Sequence, residues 1–185
     1  STSDLVLNQW HHLALTRSGN TFRLFINGVL EASSTRYTGS VGADTYPTFI
    51  GGGANQTNRM LSGIVSNARI VKGTALYTST FTPPTEKLTA ISGTSLLTCQ
   101  SNRFIDASAS AHAITVAGDV AVSAFNPFGQ GSEYAVGENK GSFRLESGDW
   151  VQSPSTSQAS LSYTQDWTIE FWAYMDNDMT SVAQM

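Results

Sequence analysis

Three histidines and a sparse set of acids decide what chemistry this chain could perform. His11 and His12 are adjacent in "WHHLALTR", an alternating stretch that reads as extended chain. Neighbours on a strand point to opposite faces, so the two cannot grip one metal ion together. His112 is distant and has no carboxylate at useful spacing, so all three histidines are expected to be structural or solvent-facing. Among the acids, "TIEFWAYMD" sets Glu170 and Asp176 on one face of a strand. Six residues of strand separate them by about 20 Å, whereas glycosidase carboxylates stand about 5–9.5 Å apart. No G-x-S-x-G nucleophile turn is present and no Cys–His pairing is suggested by spacing, so no catalytic residue is assigned.

Binding is the better-supported chemistry. Trp172 and Tyr174 with Glu170 could form a sugar platform, in which aromatic faces meet the C–H faces of pyranose rings and a carboxylate orients hydroxyls. The competing and preferred reading is that these rings fill the second side of a buried strand, because Trp167, Ile169 and Phe171 occupy the other face. Trp10 and Trp150 are likewise expected in the core. A second ligand-contacting set is Asn55, Gln56, Asn58 and Arg59, a polar cluster following the glycine run "GGG".

The elements that must position these residues are short strands. "WHHLALTR" puts His11, Leu13 and Leu15 on one face, "SGNT" turns the chain, and "FRLFING" aligns Phe22, Leu24 and Ile26. Asn27-Gly28 is a strong hairpin signal, since both central residues of a type I′ turn need positive φ. Further strands are read in "PTFIGGG", "GIVSNARIV", "SLLTCQ" and "HAITVAGDVAVS", the last broken at Gly118-Asp119. "GSFRLESGDWVQSP" reads as a strand pair and "SYTQDWTIEFWAYMDND" as a long aromatic strand. Helical leaning is confined to a single turn around Ala75 to Thr80, stopped by Pro83 and Pro84. Residues 126–141 are rich in turn formers and read as a linker or long loop. Many short strands with almost no helix predict an all-β, antiparallel β-sandwich.

The totals agree with a folded, turn-rich domain: 185 residues, 40% hydrophobic, 13% charged, 16 glycines. A net charge of −4 without any basic stripe speaks against nucleic-acid binding. Cys99 is the single cysteine, which rules out an intrachain disulfide and a Cys-based zinc site and reads as a small buried hydrophobe. No window has the ~18 apolar residues of a membrane span, so no membrane partner is expected.

Three segments carry a family resemblance. "WHHLALTRSGNTFRLFINGV" resembles the central hairpin of concanavalin A-like jelly-roll modules of the laminin-G-like type. "LSGIVSNARIVKGTALYTSTFTPPTEKL" resembles the later strand and Pro-rich exit of the versions found in bacteriophage virion and tail proteins and in related bacterial surface proteins. "GSFRLESGDWVQSPSTSQASLSYTQDWTIEFWAYM" resembles the family's opening. The order departs from the family, whose opening normally precedes the hairpin, so the jelly roll is expected to be incomplete or circularly permuted. The division that follows is 1–125 as the C-terminal portion of one sandwich, 126–141 as linker, and 142–185 as the N-terminal strands of a following module, or of the same one permuted. The tandem arrangement is preferred, because "SAFNPFG" resembles an inter-module seam and Met185 stops inside or just past a strand.

The resemblance implies a non-enzymatic structural or adhesive virion component, of tail-fibre or capsid-decoration type, that binds host-surface glycans. The alternatives are a carbohydrate-binding module of a secreted bacterial protein and, last, a glycoside hydrolase. It also implies a virion or extracellular location, oligomeric assembly, and neighbouring modules, subunits or surface proteins as partners. No cofactor is assigned. Calcium, recurrent in the family, would have to draw on Asp44, Asn55, Asn58, Asp176 or Asp178, residues that serve equally well as turn formers.

Overall fold

The computed structural model describes residues 5–35, 47–52, 61–129, 141–154, 161 and 165–176. Among these residues eleven strands follow one another: β1 (Trp10–Ser18), β2 (Thr21–Ile26), β3 (Val29–Ser34), β4 (Phe49–Ile50), β5 (Gly63–Lys72), β6 (Thr94–Thr98), β7 (Thr115–Ala117), β8 (Ala121–Ser123), β9 (Ser142–Leu145), β10 (Trp150–Gln152) and β11 (Trp167–Met175). Among the described residues there is no helix. Eight strands make a large sheet, ordered β3-β2-β1-β11-β5-β9-β8 with β6 also beside β5, and three make a small sheet, β4-β10-β7. All pairings are antiparallel.

The two sheets meet through an apolar layer. Val65, Phe143 and Leu145 of the large sheet pack on Val151 of the small one, with Ile50 and Val116 closing in. Farther along, Ile70, Leu96 and Trp167 form a second cluster with Leu15, Phe22 and Ile169. The expected alternation therefore holds: Leu13 opposes Phe171 and Leu15 opposes Ile169 on the inner face. The small sheet is narrow, and an apolar cavity of about 430 Å³ remains between the layers, lined by Leu13, Ile50, Leu61, Phe171 and Met175.

The Asn27-Gly28 turn forms as read, with φ of 50° and 79°. A second left-handed residue, Asn67 (φ 55°), sits where the β11–β5 register shifts. Its side chain fits that bulge: Oδ1 accepts from the Leu88 amide and Nδ2 donates to Ser66 Oγ, both at 2.8 Å.

Two local expectations are corrected. The turn around Ala75 to Thr80 is not helical, because its backbone groups bond to the sheet beneath rather than to one another. The Leu76 amide donates to Thr168 Oγ1 (2.8 Å), Thr168 Oγ1 donates to the Thr74 carbonyl (3.0 Å), and Thr16 Oγ1 donates to the Tyr77 carbonyl (2.8 Å). Segment 74–90 is thus a strap across the outer face of β1, β11 and β5. The supposed strand pair of 141–154 consists of β9 in the large sheet and β10 in the small, not bonded to each other. The break expected at Gly118-Asp119 is present, and it passes the chain from β7 in the small sheet to β8 in the large one.

Candidate functional site

β11 lies between β1 and β5, and its even-numbered residues face the strap. Glu170 stands opposite Ala14 on one side and Arg69 on the other. Its carboxylate is fully buried. Oε1 accepts from Arg69 Nε (2.9 Å) and Nη2 (2.6 Å), while Oε2 accepts from Tyr77 OH (2.8 Å) and His12 Nε2 (3.2 Å). The remaining arm of the guanidinium, Nη1, donates to the Thr89 carbonyl of the strap at 2.8 Å. β1, β5, the strap and β11 are thereby joined at one carboxylate.

Aromatic rings seal the cluster. Tyr77 stacks on Phe81 with centroids 3.6 Å apart and planes within 6°, and both stand edge-on to Phe25 and His12. Burial alone would push the Glu170 carboxyl up. The hydrogen bond from His12, the charge and hydrogen bonds of Arg69 and the Tyr77 hydroxyl outweigh it and hold the carboxyl below its ordinary range. The Tyr77 phenol moves the other way, raised first by burial and then by the Glu170 charge. At neutral pH Glu170 is therefore a carboxylate held by donors, without a proton of its own to give.

The expected platform is brought together only in part. Trp172 and Tyr174 do share the Glu170 face, but other rings cover them. Trp172 stands edge-on to His12 and Phe128, at 5.1 and 5.9 Å, and Tyr174 packs against Trp10 and Phe125, at 5.6 and 5.0 Å. Asn55, Gln56, Asn58, Arg59, Asp44 and Asp178 lie outside the described residues. Asp176 accepts from Arg144 Nη2 at 2.8 Å and from Ser62 Oγ at 3.2 Å. Among the described residues no group of three or more His, Cys, Asp or Glu side chains is arranged to hold a metal ion.

The histidines part company as strand neighbours must. His12 enters the Glu170 cluster, while His11 takes the inner face, where Nε2 donates to the Val6 carbonyl (2.9 Å) and Nδ1 accepts from Asn27 Nδ2 (3.1 Å). Arg69 and Tyr77 were not singled out from sequence. Arg69 had a legible signal, since a lone cation inside the apolar run "GIVSNARIV" demands a buried partner.

Trp150 departs from its core assignment. It is half-buried because its strand neighbour Val151 takes the inward position, leaving Trp150 on the outer face of the small sheet.

Residues 1–78 match a family model described as the concanavalin A-like lectin/glucanases superfamily. No curated protein and no solved structure matches the chain. The matched stretch holds β1 to β5 and the Tyr77 end of the strap, and the match agrees with the antiparallel, helix-free architecture of a concanavalin A-like jelly roll. A domain of this superfamily fits a carbohydrate-binding or structural role.

Proposed function

We propose that the chain is a non-catalytic structural and adhesive module, displayed on a virion or another extracellular surface, that holds glycans without cleaving them. The observation that carries this reading is the state of Glu170. Both of its oxygens are occupied by His12, Arg69 and Tyr77, and its carboxyl is held low, so it has neither access nor proton for general-acid work. The match to a superfamily of lectins and glucanases supports a saccharide as the ligand class. The virion setting is supported by the likeness of "RIVKGTALYTSTFTPP", the end of β5 and the start of the strap, to phage-associated modules.

Assembly with neighbouring modules or subunits is part of the same proposal. The edge strands of the large sheet, β3 and β8, carry Val29, Leu30 and Val122 on the surface, and Leu5, Val6 and Leu7 form a further exposed apolar run. The test exposes the purified chain to a glycan array and, in parallel, assays reducing-sugar release from α- and β-glucans. Retention without release is expected. Release above background would overturn the non-catalytic reading, and absence of retention on every glycan would overturn the adhesive one.

A further inference from the structure

The outer face of the small sheet presents an arrangement that packing does not explain. On β10, Trp150 and Gln152 share this face, since Val151 between them is turned into the core. Gln152 is directly opposite Phe49 of β4 and Thr115 of β7, and Trp150 is directly opposite Ala117. Phe49 meets Trp150 edge-on, with centroids 5.4 Å apart and planes at 79°. One side of the indole is thus walled by a ring edge, and the other faces a methyl group too small to cover it. The other three tryptophans bury an indole N–H without a partner, and Trp150 does not. Among the described residues the Gln152 amide and Thr115 hydroxyl have no hydrogen-bond partner, and Thr115 is exposed.

From this face we infer a saccharide-binding site centred on Trp150, with Gln152 and Thr115 as its polar arm and Phe49 as its wall. This rests on the adhesive reading above and adds where the sugar sits and of what class it is. The part of the indole left open offers a flat apolar surface to the C–H face of a pyranose ring. Gln152, two residues along the strand, lies about 7 Å away, within the span of two linked rings. Its amide supplies both a donor and an acceptor, and Thr115 adds a hydroxyl, the complement that neighbouring sugar hydroxyls need. All eight residues of β4, β10 and β7 are uncharged, so among the described residues these strands offer no cation for a sulfate or uronate and no acid for an amino sugar. Its ligand class is a neutral hexopyranose chain.

Affinity electrophoresis of the intact chain through gels containing a soluble neutral β-glucan, α-glucan or galactomannan tests this. At least one polysaccharide should retard the wild type. Trp150→Ala should weaken that retention about tenfold, as loss of one stacking surface worth about 1.4 kcal/mol implies. Gln152→Ala and Thr115→Val, changes on the sheet surface that leave the core untouched, should each weaken it about threefold or more. Should Trp150→Ala unfold the chain, those two variants carry the test. Retention unchanged in all three, or lost instead in Trp172→Ala alone, would overturn the site and leave the adhesive function standing. No retardation of the wild type by any glycan would overturn the function itself.

Discussion

At the scale of residues, Glu170 is the most constrained group in the molecule. A carboxylate without exposure persists because four donors from Arg69, Tyr77 and His12 replace its water. Removing one member of such a pair costs more than the pair contributes, since the partner charge stays buried. Glu170→Leu is therefore expected to lower stability by about 3–5 kcal/mol in chemical denaturation. The Glu170→Leu/Arg69→Leu double variant should lose clearly less than the sum of the single changes. Tyr77→Phe removes a single donor and should cost about 1–2 kcal/mol.

The low Glu170 carboxyl also sets a direction with pH. A group depressed in the folded state contributes stability that is fully present above its unfolded value of about 4.3 and is lost as pH falls through its folded value. Denaturant midpoints of the wild type should thus drop in acid below about pH 4, with a shallower drop for Glu170→Gln.

At the scale of elements, the strap replaces what a helix would have done. Its polar backbone atoms bond to threonines of β1 and β11, and the Phe81 amide donates to the Gly28 carbonyl at 2.9 Å. Gly28 is thus fixed twice: its φ is left-handed, and a Cβ there would run into the Phe81 carbonyl. Gly28→Ala should cost more than about 1 kcal/mol and raise amide exchange at Phe81, read by hydrogen-exchange NMR. The Asn27-Gly28 turn was legible because local φ demands specify residue types. The strap was not, because its conformation is dictated by hydroxyls more than 60 positions away, at Thr16 and Thr168. Short strands were found where alternation is strict, as in β1, β2 and β11. Their distribution between sheets escaped, since period-two patterning says which side of a strand is buried and not which strand lies alongside.

At the scale of the whole molecule, β11 brings the far end of the chain between β1 and β5, so the large sheet closes only when 167–175 is in place. That pairing turns a set of separately unremarkable residues, His12, Arg69, Tyr77 and Glu170, into one buried cluster. It explains why sequence reading found Glu170 on the second side of a buried strand and not the donors that surround it. Trp150 was expected in the core for the complementary reason: "DWVQSP" does not say which of its alternating residues meets the other sheet, and Val151 takes that place. The molecule thus separates two jobs, an internal carboxylate cluster that holds strap to sheet and an uncharged aromatic face turned outward.

The measurement that bears most directly on this separation is saccharide retention and thermal unfolding recorded side by side for the wild type, Glu170→Gln and Trp150→Ala. The account predicts that Glu170→Gln lowers the melting temperature and still retains the glycan, while Trp150→Ala melts near the wild type and loses it. A Glu170→Gln chain that melts like the wild type and no longer holds the glycan would contradict it, because Glu170 would then face the ligand and not the core.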